Sequence, residues 1–154
     1  MPVIDHTRQI IENNWQFADE QTAAVPHMIW PLDKLLAAGS DCVPARRGVV
    51  VGPAVDVASL APILGKIDLV AVEFPKFSDG RGFTIARNLR EKYGFAGDVR
   101  ACGHVIPDQF AALMACGFSS VQTPAQHPPA QWQAAVAGDD AAVHVQMLSR
   151  MISR

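Results

Sequence analysis

The segment 73–84 concentrates charged and turn-forming residues that suit the binding of a small anion. They are Glu73, Lys76, Asp79, Gly80, Arg81 and Gly82. A guanidinium beside the free backbone amides at the start of a helix is a common receptor for sulfate, sulfite, phosphate or a carboxylate. We therefore predict that all of these residues except Glu73 form an anion site, together with Gln109 of a second loop. The alternative is that Arg81 pairs with Asp79 and only holds the loop closed.

Three residues are candidates for acid/base catalysis, namely Glu73, His104 and Asp108. Histidine is the commonest general base in enzymes, and Asp108 follows His104 closely enough to orient its ring. Each of the three residues could have a structural role in place of a catalytic one. Glu73 and His104 can bond to the backbone at a strand end, and Asp108 can stabilise the first turn of a helix through the helix dipole.

The elements that flank these residues predict that they meet. An apolar run at 67–74 predicts a buried strand, and helix-period apolar residues at 83–93 predict a helix. The charged segment is then a strand-to-helix loop, and such loops form the ligand-binding edge of parallel α/β sheets and barrels. If the neighbouring strands are parallel, Glu73, His104 and Gln122 face one crevice.

The same alternation of strand and helix signals runs through most of the chain. Strands are predicted at 26–30, 48–52, 67–74, 98–104 and 118–123, and helices at 32–38, 57–64, 83–93, 107–117 and 132–136. Repeats of this length imply parallel strands joined by right-handed crossovers. We predict a single α/β domain, residues 1–154, of repeated βα units with a mainly parallel sheet that is either open or a partial barrel.

Both ends of the chain are predicted to be accessory elements. Residues 1–25 form an N-terminal cap with a β-hairpin whose turn lies near Asn13 and Asn14. The strand at 26–30 is predicted to be an edge strand, because prolines flank or interrupt it. Residues 143–154 are predicted to form a short amphipathic tail helix.

The composition limits the classes of partner. The net charge is −2, and Arg46 and Arg47 are too short a basic run to attract a phosphate backbone, so we predict no nucleic-acid binding. Charged residues make up 18% of the chain and apolar residues 49%, which indicates either extensive burial or an interface that a partner covers. We predict a homo-oligomer or a complex.

The sequence also predicts the compartment. No apolar run reaches the ~18 residues that a membrane span requires, and the first eight residues lack the apolar core of a secretory signal. The three cysteines, Cys42, Cys102 and Cys116, are odd in number and widely spaced, which argues against a disulfide framework. Cys116 is the more plausible redox thiol, although both it and Cys102 suit the role of small hydrophobes. We predict a soluble cytoplasmic protein.

Known cofactor signatures are missing from the sequence. Gly80 and Gly82 give G-x-G, but Ile85 stands where the third glycine of the dinucleotide fingerprint belongs. There is no P-loop, and neither the histidine nor the cysteine spacing matches a zinc or iron–sulfur site. The cofactor, if any, is therefore left open, and no metal is predicted.

A longer motif resembles a known family. It runs from Phe74-Pro-Lys-Phe-Ser-Asp-Gly-Arg-Gly-Phe83 through Gly94, Arg100, Gly103, Asp108-Gln109 and Cys116-Gly117-Phe118. This run is similar to the bacterial domain of unknown function 934 family. The resemblance implies an oxidoreductase or an accessory protein of assimilatory sulfite reduction, with sulfite reductase as a partner. Family members often carry aspartate where this chain has His104, which counts against a direct acid/base role there.

Two classes of function follow from these observations. The first is an accessory protein or oxidoreductase associated with assimilatory sulfite reduction, which binds a small anion or a reductase partner. The second is a small acid/base enzyme that acts on a phosphorylated or sulfonated metabolite, with Glu73 or His104 as base and Arg81 as anion clamp. Whether the protein is an enzyme at all is left open by the sequence.

Overall fold

The computed structural model describes residues 2–18, 26–38 and 46–134 of the chain. Its strands are β1 (Val3–Asp5), β2 (Ile10–Ile11), β3 (Gln16–Phe17), β4 (Met28–Pro31), β5 (Arg47–Val51), β6 (Leu69–Phe74), β7 (Asp98–Gly103) and β8 (Ser120–Gln122). Its α-helices are α1 (Leu32–Ala38), α2 (Arg81–Glu91), α3 (Phe110–Ala115) and α4 (Pro129–Ala134). Three 3₁₀ turns lie at Val57–Leu60, Leu64–Lys66 and Pro107–Gln109.

The eight strands form one sheet in the order β2-β1-β8-β7-β6-β5-β4-β3. Strands β3 to β8 pair in parallel, whereas β1 pairs antiparallel with both β2 and β8. The sheet is open and curls into a half-barrel. The predicted α/β fold with a mainly parallel sheet is therefore confirmed.

Strand β6 occupies the centre of the sheet because it is apolar on both faces. Val70, Val72 and Phe74 belong to the main core beneath the helices, and Leu69 and Ala71 belong to a smaller cluster on the concave face. All five are at most 1% exposed. A strand buried on both faces reads as a continuous apolar run, which is why the sequence marks it clearly. Full burial of each large side chain contributes roughly 1.5–3 kcal/mol.

The concave face is closed at the amino ends of the parallel strands by residues 12–15, which we call the strap. The strap joins β2 at one edge of the sheet to β3 at the other edge. The indole of Trp15 packs against the small concave-face cluster that contains Leu69, and it passes so close to Gly48 that an added Cβ there would lie 3.2 Å from the ring. A glycine at this point of β5 makes room for the strap.

A buried arginine fastens the strap to the sheet. Nη1 of Arg100 donates to Oδ1 of Asn13 at 3.1 Å, Nε donates to the hydroxyl of Ser120 at 3.0 Å, and Nη2 donates to Asp98 at 3.2 Å. Burial lowers the pKa of the Arg100 guanidinium, and the Asp98 charge opposes that shift. The guanidinium therefore lies under the strap with a partner on each of its three nitrogens.

The N-terminal hairpin exists, but the predicted position of its turn is wrong. Strands β1 and β2 pair, and the chain reverses at residues 6–9. The Asp5 carboxylate stabilises this turn by accepting from the amides of Thr7 at 2.8 Å and Gln9 at 3.1 Å. Asn13 serves a different turn, in which its side chain accepts from the Trp15 amide at 3.1 Å.

Three other local predictions need correction or remain outside the described residues. The strand at 26–30 is not an edge strand, because β3 pairs outside it. The helix predicted at 57–64 is replaced by two 3₁₀ turns, since Pro62 has no amide hydrogen to continue a helix. Asp56 does cap the first of them by accepting from the Ala58 amide at 3.1 Å. The tail helix predicted at 143–154 lies outside the described residues.

Candidate functional site

The loop between β6 and α2 is fixed by an ion pair at its second half. The Asp79 carboxylate accepts from the Arg81 backbone amide at 3.1 Å, from Nε at 3.0 Å and from Nη2 at 2.8 Å. These hydrogen bonds from Arg81 lower the pKa of Asp79 to about 2, and they raise the pKa of Arg81. The arrangement is the loop-closing pair that the sequence offered as the alternative to anion binding.

The first half of the same loop is held by Gln109, which is buried. Its Nε2 donates to the backbone carbonyl of Phe77 at 2.6 Å, and its Oε1 accepts from the Ile106 amide at 3.4 Å. Gln109 thus ties the loop after β6 to the loop after β7. Its amide nitrogen already donates to a backbone carbonyl, and its role as an anion ligand stays a prediction.

Between these two fixed points the loop presents an aromatic side chain to solvent. Phe77 is 56% exposed and is flanked by the exposed residues Lys76 and Ser78. The buried Gln109 side chain and the Asp79–Arg81 ion pair therefore fix the loop backbone on both sides of Phe77, whose own side chain is largely exposed to solvent. We call residues 76–81 the basic aromatic loop.

Arg81 lines a groove of about 330 Å³ on the helical side of the protein. One wall is a stripe of α2 with Thr84, Ile85 and Asn88, continued by Lys92. The other wall is the segment 53–58, which includes Asp56. Two cationic side chains, Arg81 and Lys92, line the groove. Asp56 adds a negative charge to it, and Asp79 already neutralises Arg81.

A second cavity, of about 290 Å³, opens on the concave face of the sheet at the carboxyl ends of the strands. Its lining residues are Phe17, Val50, Glu73, Cys102, Gly103, Gln122 and Pro124. The curl of the sheet is what brings β3 near β8 across this space. We call it the concave cavity.

The structure brings together only part of the predicted crevice. Glu73 and Gln122 line the concave cavity as expected, but Arg81 lines the groove on the other side of the sheet. His104 and Asp108 are both exposed and line neither space. The His104 amide donates to the Phe74 carbonyl at 2.7 Å, so its backbone continues the strand pairing. Catalytic roles for Glu73, His104 and Asp108 stay predictions.

Gly103 shapes the rim of the concave cavity. It adopts φ +89°, and an added Cβ would lie 2.5 Å from the Phe74 carbonyl oxygen. Only glycine adopts this backbone without strain and without that collision. The close approach lets β7 end tightly against β6 beside Glu73.

Two cysteines of the described chain are buried thiols. Burial, and secondarily the Glu73 charge, raises the pKa of Cys102 to about 12. Its Sγ donates to the Val72 carbonyl at 3.5 Å. Burial also raises the pKa of Cys116, although Arg87 opposes the shift. A thiolate is the reactive form, so both side chains are poor nucleophiles near neutral pH.

Two features of the site were not predicted from the sequence. Phe77 was part of the family motif, but aromatic residues are usually buried, so nothing in the chain marks this one as exposed. Arg100 appeared only as a motif position, and its partner Asn13 lies 87 residues away. The signal that could have found it is a charged residue inside an apolar strand.

Two further features concern residues 2–18, 26–38 and 46–134. In those ranges, no cluster of three or more His, Cys, Asp or Glu side chains is placed to hold a metal ion. The same ranges contain no helix that is long and apolar enough to cross a membrane.

Fold and site together define an α/β protein with a curled, mainly parallel sheet, a cavity at the strand carboxyl ends and a preorganised loop that follows β6. The family model described as bacterial protein of unknown function (DUF934) matches residues 48–146. The chain belongs to this family, as the sequence motif indicated. The matched region contains the basic aromatic loop and six of the seven residues that line the concave cavity, all except Phe17. The comparison with curated proteins gave no match.

Proposed function

We propose that the protein is a cytoplasmic accessory protein of assimilatory sulfite reduction that binds a reductase partner through the basic aromatic loop. The observation that carries the proposal is Phe77, which is 56% exposed on a backbone fixed from both sides. The association with sulfite reduction rests on the family resemblance of the loop motif.

Exposure of an aromatic residue on a fixed backbone favours binding to another protein. Aromatic side chains dominate interface energetics, and a preorganised loop loses little conformational entropy when a partner covers it. The Gln109 bond and the Asp79–Arg81 pair supply that preorganisation. The partner surface that fits is an apolar pocket for Phe77 with an acidic group near Lys76.

Binding of a small anion by the same loop has weaker support. The Arg81 guanidinium already donates two side-chain hydrogen bonds to Asp79, so a sulfite or sulfate ion must displace a carboxylate. In the adjacent groove Lys92 is the second cation, and Asp56 adds a negative charge. We therefore propose the reductase as the ligand of the loop, with the small anion as the lesser part of the proposal.

The acid/base enzyme stays the alternative proposal. It requires an anion clamp and a general base around one substrate. Arg81 and Glu73 line separate spaces, and His104 is exposed outside both, so the geometry favours this alternative less.

A growth experiment tests the proposed function. A host strain that lacks its own copy of the gene is complemented with the wild type, with Phe77→Ala or with Leu36→Ala. Leu36 is the matched control, since it is another exposed apolar residue, 48% exposed, on α1. We expect only Phe77→Ala to slow growth on sulfate, and cysteine in the medium to restore it. Equal growth of all three strains on sulfate would contradict the proposal.

A further inference from the structure

The concave cavity occupies one end of the concave face of the sheet, and protein side chains fill the other end. The strap, Trp15 and the Arg100 network fill the concave face at the amino ends of the strands. The cavity lies at the opposite end, where β6, β7 and β8 finish. That end is where ligands bind in curled and open parallel sheets.

The walls of the pocket are mostly apolar. Phe17, Val50 and Pro124 contribute side-chain carbon, and Cys102 contributes a protonated thiol whose hydrogen is directed to a backbone carbonyl. The volume of about 290 Å³ lies just below the usual range for small-molecule pockets, about 300–1,000 Å³. An apolar pocket of this size suits a compact ring or short alkyl group.

The charge that the described lining residues bring to the pocket is negative. Glu73 is negative, and Gln122 is the other polar side chain of the lining. In the part of the chain that the structure describes, no lysine, arginine or histidine lines the pocket, and no donor bonds to the Glu73 carboxylate. A carboxylate beside apolar walls attracts a cation and repels an anion.

We propose that the concave cavity binds a small organic cation, a primary ammonium carried on a compact apolar group. The ammonium donates to the Glu73 carboxylate, and the apolar group lies against Phe17, Val50 and Pro124. The ligand class differs from the anionic metabolites that the sequence suggested, because Arg81 is on the other side of the sheet. This pocket is separate from the basic aromatic loop, so its occupancy and partner binding are independently testable.

Three probes that share one ring test the charge requirement. Benzylamine, benzyl alcohol and benzoate are titrated separately into the full-length protein at pH 7, and the backbone amide signals of Cys102 and Gly103 are followed by NMR. We expect benzylamine to shift both signals to saturation. Benzyl alcohol should bind at least about ten-fold more weakly, since a charge-assisted hydrogen bond is lost. Benzoate should cause no shift.

Variants assign the effect to Glu73. Glu73→Gln should reduce benzylamine affinity about ten-fold, whereas Glu73→Asp, which keeps the charge, should retain most of it. Glu91→Gln, which neutralises an exposed carboxylate on α2 outside the pocket, is the control and should bind benzylamine like the wild type. Glu73 is exposed, so its variants should keep the wild-type spectrum away from the pocket.

Any of three results would overturn the proposal. They are no shift with benzylamine, equal affinity for benzoate and benzylamine, and wild-type affinity in Glu73→Gln.

Discussion

Replacing Arg100 with methionine should destabilise the protein by detaching the strap from the sheet. The side chain of Arg100 is 3% exposed and donates to Ser120, Asn13 and Asp98. Methionine keeps most of the buried aliphatic volume, so the main loss is the three hydrogen bonds. Asp98 loses its ionic partner, but its side chain is 30% exposed, and the hydroxyls of Ser119 and Ser120 still bond to it.

The expected loss of unfolding free energy is about 2–4 kcal/mol. Hydrogen bonds to charged groups contribute roughly 1.5–3 kcal/mol each, but contributions within one network are not additive and water partly rescues Asp98. For a chain of this length such a loss lowers Tm by roughly 5–15 °C. Asn13→Ala removes the bond from Arg100 to the strap together with the turn bond from the Trp15 amide, and it should cost about 1–2 kcal/mol.

Urea unfolding at pH 7, followed by circular dichroism, measures both variants. Arg100→Lys is a useful comparison, because it keeps the charge but loses the planar fork that reaches three partners. It should lie between the wild type and Arg100→Met. A loss below about 0.5 kcal/mol in Arg100→Met would refute the idea that this network holds the concave face together.

Three further predictions concern single groups. In the folded protein Asp79 should titrate near pH 2 in a carboxyl-detected NMR titration, and Arg81→Ala should return its pKa toward 3.8. Because the folded pKa is lowered, the pair's stabilising contribution is present above about pH 4 and is lost as the pH falls through about 2; an unshifted Asp79 would contradict the observed pair. Cys102 should resist iodoacetamide at pH 8 until the protein unfolds, since its pKa is about 12; peptide mass spectrometry would locate the label, and rapid labelling of Cys102 would count against its burial. Gly103→Ala should cost about 2–4 kcal/mol in urea unfolding, because φ is +89° and the new Cβ meets the Phe74 carbonyl. Gly65→Ala, where the Cβ meets nothing within 4 Å, should change stability by less than about 0.5 kcal/mol, and similar losses in both would remove the conformational argument.

The central elements were predictable because their signals are local. The apolar run of β6 and the helical periodicity of α2 place both elements within two residues of their observed bounds. The strands at the sheet edges were not predictable, because β2 and β3 have only two residues each and such short strands show no alternation of apolar and polar residues. The hairpin turn was misplaced because the pair Asn13-Asn14 carries the usual turn signal, whereas Asp5 organises the turn by accepting from the Thr7 and Gln9 amides.

The sequence predicted which loops carry the site residues, but it did not predict which side of the sheet each residue faces. Glu73 and Arg81 are eight residues apart, yet they serve opposite sides of the sheet. Which side a loop residue faces depends on the curl of the sheet and on Gln109, which ties down Phe77 from 32 residues away. Sequence spacing alone does not contain that information.

Direct binding of sulfite reductase is the most direct test of the proposed function. Purified reductase from the same host is titrated by calorimetry with the wild type, Phe77→Ala and Leu36→Ala. We predict that the wild type and Leu36→Ala bind alike and that Phe77→Ala binds at least about 30-fold more weakly, as expected when an aromatic anchor worth about 2 kcal/mol is removed. No binding by the wild type, or equal binding by Phe77→Ala, would contradict the account.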